Sequence, residues 1–245
     1  MEPTTHDPAR GALPFVAGAA ARTIEEAILS RRSLRAFKPD PVPRETVARI
    51  LALASRAPSG TNIQPWKVYV VAGEARDRLT RAMHEEFLRV GEEGWKREFE
   101  YYPTKWRDPY LARRRKLGWD LYSLLGIAKG ERDKTHRQHA RNYLFFDAPV
   151  GLIITIERDL PVGAWLDTGM FLQNVMLAAR AYGLDTCPQA AIGSAHPVLR
   201  RELHIPQGEV VACGMSMGYA RADAVENTLV TEREPVERFA TFFGF

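Results

Sequence analysis

The stretch Val150-Gly-Leu-Ile-Ile-Thr-Ile156 decides the fold class. Its apolar residues are continuous instead of alternating, which predicts a strand that is buried on both faces. A long apolar helix is predicted to follow over Trp165–Gly183, where the glycine suits a helix C-terminus. This helix contains Asp167 and Arg180, so it is too polar to span a bilayer and is expected to lie in the core.

Further helices and strands are predicted on both sides of this pair. Helices are expected from Thr23 (with a capping box to Glu26 and an apolar face of Ile24, Ala27 and Ile28) and over Arg44–Ala57, Glu74–Val90 and His196–His204; strands are expected over Lys67–Ala72 and Glu209–Tyr219. Because strands and long helices do not alternate regularly, the fold class is α+β. We expect an N-terminal arm over residues 1–22 and a single domain over residues 23–245, in which residues 91–140 form a charged, partly helical insertion.

Composition narrows the class of protein. The 245 residues are 45% hydrophobic and 26% charged, which excludes a disordered or fibrous chain. The net charge of +4 comes from 34 Lys and Arg interspersed with 30 Asp and Glu, so a mixed surface is favoured over nucleic-acid binding. Two cysteines indicate a reducing compartment, and neither has metal-ligand spacing to a histidine. With no predicted membrane span or signal peptide, we expect a cytoplasmic protein without a metal site.

Two motifs offer cations. Arg31-Arg32-Ser33-Leu34-Arg35 places three guanidinium groups and a hydroxyl within five residues, a set suited to an anion. The alternative is a solvated helix end, where arginines complement the helix dipole. Arg233-Glu-Pro235 lies in the tail, where a lone arginine is usually solvated.

Two further segments have the character of ligand-binding loops. Ala57–Trp66 (APSGTNIQPW) contains glycine and small polar residues that allow a flat ligand to approach the backbone, or it is an ordinary connection made rigid by its prolines. Gly183–Ile192 (GLDTCPQAAI) follows the core helix, so its backbone N–H groups are held in place. Its Cys187 is expected to be a packed apolar side chain, because no His–Asp pair is placed to activate it.

Together these four motifs resemble, in order and approximate spacing, the nitroreductase family of FMN-dependent flavoproteins over roughly residues 23–240. The CPQ variant and the GMSMGYA strand are similar to the bacterial branch that reduces nitroaromatic compounds with NAD(P)H. The resemblance implies a central mixed, mainly antiparallel sheet flanked by helices. The insertion at 91–140, which we expect near the substrate pocket, departs from the shortest family members and leaves the substrate open. Its many aromatic residues favour a planar acceptor, or they serve packing.

The resemblance also implies which residues bind FMN. Those matched to the phosphate and ribityl end are Arg31, Arg32, Ser33 and Arg233, and Arg35 is matched to the N1/O2 side of the ring. Those matched to the ring itself are Pro188, Gln189 and Ala190, with the Ala190 N–H near N5, and Asn142 is a looser candidate. Pro58, Ser59, Gly60 and Asn62 match a loop that a second subunit lays against the flavin.

No catalytic side chain is implied. The flavin carries the chemistry, in which hydride passes from NAD(P)H to N5 and then to a small aromatic acceptor in the same place, while Arg35 and the Ala190 backbone tune it. The family resemblance implies an intertwined homodimer whose C-terminal segment wraps the partner; the alternative is a tail folded on its own subunit. The preference between NADH and NADPH stays open, because the basic run Arg113–Lys116 suits either the 2′-phosphate of NADPH or a solvated face. Two alternative functions are a reductive dehalogenase or flavin-fragmenting enzyme of the same fold, and a non-enzymatic FMN-binding module.

Overall fold

A four-stranded antiparallel sheet forms the centre of the computed structural model, which describes residues 16–91 and 94–245. Its strands are β1 Lys67–Ala72, β2 Val150–Glu157, β3 Asp185–Gln189 and β4 Glu209–Gly218, in the order β1-β2-β4-β3. β2 and β4 occupy the middle and are buried almost throughout, as the continuous apolar run of β2 predicts. One isolated parallel bridge, between Ser33 and Thr186, extends the sheet beyond β3. The predicted α+β class with a mainly antiparallel sheet is confirmed.

Helices pack on both faces of this sheet. They are α1 Ile24–Ser30, α2 Arg44–Ala54, α3 Gly73–Val90, α4 Tyr110–Leu124, α5 Arg132–Ala140, α6 Val162–Ala181 and α7 His196–Leu203. One apolar core contains Phe171 of α6 and Ile50 of α2, and a second contains Phe87 of α3 and Leu199 of α7. The predicted core helix is therefore confirmed as α6. None of the helices in the described part of the chain is long and apolar enough to cross a membrane.

A buried turn leads into β2 and depends on a glycine. Phe145 and Phe146 both have positive φ, 51° and 53°, a conformation that bulky residues rarely adopt. A Cβ at Gly151 would lie only 2.5 Å from Cε2 of Phe145. Gly151 therefore allows the Phe145 ring to pack against the central strand, and this packing supports a strained turn beside the cavity described below.

Three details differ from the sequence-based expectations. The sequence predicts Gly183–Ile192 only as a segment held in place after the core helix, whereas the structure forms strand β3 within it. At α1, Thr23 Oγ1 accepts from Glu26 N at 3.0 Å, but the Glu26 carboxylate accepts from Arg22 N at 2.6 Å instead of closing the capping box on Thr23. The expected apolar face of α1 buries only Ala27, while Ile24 and Ile28 are exposed.

Outside these elements, the described residues 16–22 of the predicted N-terminal arm form no helix or strand, and residues 1–15 of that arm lie outside the described residues. The insertion at 91–140 is partly helical, as predicted, and contains α4 and α5.

Candidate functional site

The arginine-rich motif lies along the open edge of β3. Leu34 N donates to Thr186 O at 3.2 Å, next to the Ser33–Thr186 bridge. Three residues on, Phe37 N donates to Phe146 O at 3.2 Å. The backbone of residues 33–37 is therefore held against the sheet, and the motif is not the solvated helix end of the alternative interpretation.

Arg35 is fixed by a buried asparagine that sequence reasoning missed. Asn227 is 1% exposed, and its Oδ1 accepts from Arg35 N at 2.8 Å. Its Nδ2 donates to Ala36 O at 2.8 Å and to Arg221 O at 3.0 Å. The Arg35 guanidinium itself donates to Ser33 O at 3.1 Å. Asn227 thus joins the arginine-rich motif to the segment that follows β4.

Arg31 and Arg233 lie close enough to repel each other. Burial lowers the pKa of Arg31, and the charge of Arg233 lowers it further. Arg233 Nη1 donates to Thr231 Oγ1 at 2.8 Å and to Glu232 O at 2.9 Å. Within the described ranges, no carboxylate forms an ion pair with either guanidinium. The structure therefore brings together two cations, from distant parts of the sequence, whose natural complement is an anion.

Arg32 lies in different surroundings. Burial makes the largest contribution to lowering the pKa of Arg32. The nearby Asp185 raises this pKa, and the nearby Arg180 lowers it. Arg180 Nη1 and Asp185 Oδ1 form a buried ion pair at 2.8 Å. The predicted contact of Arg32 with the cofactor stays a prediction, and its surroundings are those of a structural ion pair.

A cavity of about 760 Å³ opens beside β3 and contains the other predicted ring-binding residues. Its lining includes Arg35, Asn142, Pro188, Gln189 and Ala190. Gln189 Nε2 donates to Asn142 O at 2.8 Å, and Gln189 Oε1 accepts from Ser216 Oγ at 2.6 Å. Both ends of the Gln189 amide are therefore used within the protein, which fixes the backbone where β3 ends. Sequence reasoning did not assign Ser216 to the site. Its hydroxyl group, within a strand that is wholly buried, is the signal that could have pointed to this contact.

Aromatic side chains form another wall of the cavity. Phe87 and Tyr143 have ring centroids 4.6 Å apart, and Trp95 and Tyr143 are 4.8 Å apart at 75°, close to edge-to-face. Of these three rings only Trp95 lies in the insertion, and none of the three is among the site residues named from the sequence. A cavity with a polar β3 side and an aromatic side suits a planar, polar-edged ligand.

The loop Pro58–Asn62 packs elsewhere in the same chain. Gly60 N donates to Asp167 Oδ2 of α6 at 3.1 Å, and Thr61 and Asn62 have positive φ of 48° and 62°. Of the described residues that line the cavity, none comes from this loop. A contact between Pro58, Ser59, Gly60 or Asn62 and a cofactor in this cavity stays a prediction about a second subunit.

Cys187 lines the cavity but is not an activated nucleophile. Burial raises its pKa to about 11, against the opposing effects of Arg35 and Arg31. A nucleophilic cysteine needs the opposite shift. The expectation that it is a packed apolar side chain agrees with this environment.

Comparison with known proteins assigns the family. Residues 28–219 match the profile of the nitroreductase family. The chain belongs to this family. It is 42% identical to a chloronitrobenzene nitroreductase of Comamonas testosteroni over 89% of this chain and 96% of that protein. It is 40% identical to a 4-nitrobenzoate reductase of Nocardioides sp. (strain LMS-CY) over 94% of each.

Solved structures agree with this assignment. The FMN and NADPH-dependent nitroreductase NfnB from sphigopyxis sp. strain HMH superposes with a TM-score of 0.87 at 36% identity, covering 91% of this chain and all of that one. The family resemblance inferred from the four motifs is therefore confirmed. As a nitroreductase-family protein, this chain brings most of the predicted cofactor residues to one edge of the sheet.

The state of the two thiols is testable. Burial raises the pKa of Cys213 to about 12 and that of Cys187 to about 11, so both stay protonated at pH 8. We expect no reaction with Ellman's reagent in the native protein and two reacting thiols per chain in guanidinium chloride. Rapid reaction of one thiol in the native protein would show an activated cysteine and contradict this environment.

Proposed function

We propose that this protein is an FMN-dependent oxidoreductase that uses NAD(P)H to reduce nitroaromatic or quinone-like acceptors. The observation that carries the proposal is the cavity beside β3, which is lined by Arg35, Cys187 and Pro188–Ala190, together with Arg31, which lies close to both Cys187 and Arg233. The nitroreductase relatives described above, which act on nitroaromatic compounds by name, support the choice of acceptor.

The residues present fit FMN. The phosphate is a dianion, and Arg31 and Arg233 lie close enough for the charge of Arg233 to lower the pKa of Arg31, without a carboxylate partner among the described residues. The cavity of about 760 Å³ is within the range of small-molecule sites and combines polar and aromatic walls, as a tricyclic ring requires. We therefore place the phosphate at Arg31 and Arg233 and the ring beside Pro188, Gln189 and Ala190.

When bound, FMN supplies the hydride relay between NAD(P)H and the acceptor. Arg35 places a fixed positive charge at the edge of the cavity, because its main chain is bound by Asn227 and its guanidinium by Ser33 O. A preorganised cation favours negative charge that develops on the bound group without a reorganisation cost. The chain at Ala190 is held through the hydrogen bonds of Gln189, so its N–H can orient a ring edge. The aromatic wall offers ring faces on which a planar acceptor can stack.

The proposal is tested on the purified full-length protein. We expect a yellow protein with about one FMN per chain, bleached anaerobically by NADPH or NADH and restored to yellow by a nitroarene or a quinone. A preference for FAD, or no flavin binding, would contradict the cofactor assignment. Bleaching without reoxidation by either acceptor would favour an FMN-binding module, and reoxidation by a halogenated tyrosine alone would favour a dehalogenase.

Arg35→Gln is expected to lower the two-electron potential of the bound flavin. A hydrogen bond to a charged group contributes roughly 1.5–3 kcal/mol, and about 1.4 kcal/mol corresponds to about 30 mV for two electrons. The shift should therefore be some tens of millivolts, with slower uptake of hydride. Arg35→Lys keeps the positive charge, so the midpoint potential should fall less in this variant than in Arg35→Gln. Equal midpoint potentials for Arg35→Gln and the unmodified protein, with flavin bound in both, would leave Arg35 as a structural residue only.

We further propose that the protein is a homodimer. Val162, Leu166 and Met170 recur every four residues along α6 and are all exposed, as is Ile24 on the neighbouring α1. The tail ends in Phe239, Phe242, Phe243 and Phe245, which are also exposed. An uncovered apolar surface of this kind marks an interface. A partner that covers it would also bring a second Pro58–Asn62 loop, which lies against α6, towards the assembly interface.

Leu166→Glu is expected to dissociate the dimer, because it places a charge at the centre of the exposed stripe of α6. Sedimentation should then show a monomer, with loss of flavin if the second subunit completes the site. Leu88→Glu, on the exposed surface of α3, is the matched control and should remain dimeric. A flavin-bound monomer of the unmodified protein at micromolar concentration would contradict the assembly.

A cytoplasmic location is proposed on composition. Both cysteines are free and buried, in agreement with a reducing compartment.

A further inference from the structure

One arginine of the insertion lines the cavity and forms no ion pair within the part of the chain that the structure describes. Residues 95–102 contribute Trp95, Lys96, Arg97, Phe99, Glu100 and Tyr102 to the lining. Arg97 makes no ion pair with a carboxylate among residues 16–91 and 94–245, and its Nη1 is shielded from solvent without a hydrogen-bond partner in that part of the chain. A shielded guanidinium nitrogen without a partner is costly, so Arg97 has hydrogen-bonding capacity to offer.

The position of this segment is fixed by the residue next to Arg97. Glu98 Oε1 accepts from Arg200 Nη2 at 2.8 Å and from Arg158 Nη2 at 2.5 Å, and its Oε2 accepts from Val211 N at 3.1 Å. Burial opposes the ionisation of Glu98, but these hydrogen bonds outweigh it and hold its pKa below its ordinary value. Lys96 O is also hydrogen-bonded to His196 Nε2 at 3.1 Å. The insertion is therefore pinned to α7 and β4 on both sides of Arg97.

The guanidinium plane is itself restrained. Arg97 Cζ lies 5.4 Å from the ring centroid of Tyr101 and 5.3 Å from that of Tyr102. Cation–π contacts at these distances hold the group in place but use its faces, and they leave its N–H edge for a planar anion. Restraint before binding lowers the entropy cost of holding a ligand.

The charges around the cavity favour an anion. Among the described residues that line it, the charged side chains are the cations Arg35, Lys96 and Arg97 and the carboxylate Glu100, and the other titratable side chains are Tyr102, His139, Tyr143 and Cys187. Arg35 belongs to the proposed flavin site, so Lys96 and Arg97 are the cations left for the acceptor. A neutral nitroarene would use neither of them.

We propose that Arg97 is a specificity-determining residue that selects aromatic acceptors bearing a carboxylate. The aromatic ring would stack in the cavity, and the carboxylate would take the forked N–H edge of Arg97. This inference rests on the proposed function, and it separates two substrate classes that the relatives' names leave open. The 2′-phosphate of NADPH is the other anion that could use the same cations.

The test compares two acceptors of nearly equal shape. For the flavin-loaded protein, kcat/KM should be higher for 4-nitrobenzoate than for 4-nitrobenzamide. Arg97→Met should lower kcat/KM for 4-nitrobenzoate roughly 10- to 100-fold, as expected when a charge-assisted hydrogen bond is lost, with little change for 4-nitrobenzamide. Arg97→Lys should lose less than Arg97→Met, since it keeps the charge without the fork.

The control variant is Arg107→Met. Arg107 is an exposed arginine of the same insertion, 5.8 Å from the ring centroid of Tyr110, and it does not line the cavity. The Arg107→Met variant should leave kcat/KM for both acceptors unchanged. FMN content and thermal unfolding of each variant report whether the fold is intact. If Arg97→Met does not fold, the unmodified protein still decides, because calorimetry should show binding of benzoate and much weaker binding of benzamide.

The failures are distinguishable. An equal fall for the two acceptors, or no preference for 4-nitrobenzoate in the unmodified protein, would overturn the role of Arg97 and leave the proposed function intact. A loss confined to NADPH, with NADH and 4-nitrobenzoate unaffected, would assign the cation to the 2′-phosphate and also overturn it. Failure of the unmodified protein to reduce either nitroarene or a quinone would instead overturn the proposed function, and benzoate binding would then judge Arg97 separately.

Discussion

The amide of Asn227 is the contact on which the site depends. It accepts from Arg35 N and donates to Ala36 O and Arg221 O, so one buried side chain satisfies three main-chain groups from two distant segments. Removing it would leave these groups without partners in a place that water does not reach, which is far more costly than losing an exposed hydrogen bond. With the Leu34–Thr186 hydrogen bond, it sets the path of the arginine-rich motif along β3. The cations are therefore positioned first by the backbone and only then by their own long side chains.

This constraint explains how one edge of a sheet can hold several like charges. Burial and then the charge of Arg233 lower the pKa of Arg31, and the two guanidinium groups gain nothing from being close unless an anion joins them. The fold bears that repulsion because backbone hydrogen bonds hold the arginine-rich motif in place. A site that is preorganised for negative charge is the arrangement that electrostatic catalysis requires. By contrast Arg32, one residue along, lies beside the buried Arg180–Asp185 pair and has an anionic neighbour in the protein itself.

The sequence predicted the parts of the fold that local pattern controls. β1 begins and ends at the predicted residues because KVYVVA is rich in β-branched and aromatic side chains, and β2 follows from its apolar run. β3 was missed because DTCPQ has little strand character; it forms through pairing with β4, and Pro188 is tolerated because β3 is an edge strand. The exposed Ile24 and Ile28 show the same limit, since a pattern identifies an apolar face but not the partner that covers it. At the site, three of the four motifs identified residues near β3, whereas the Pro58–Asn62 loop packs against α6, and Asn227 and Arg97 lie in segments without a motif.

The division of the site between two parts of the chain has a consequence for how such a protein changes its substrate. The proposed cofactor side is built on β3 and the segment beside it, where a shift of the backbone would disturb the central sheet. The proposed acceptor side includes residues 95–102 of the insertion, and this segment is anchored to the rest of the structure by Glu98, which is bound by Arg158, Arg200 and Val211 N. Residues on either side of that anchor can vary while the anchor holds the segment at the cavity. Arg97 occupies such a position, so the identity of one side chain can alter which acceptor is preferred without altering the residues that hold the cofactor.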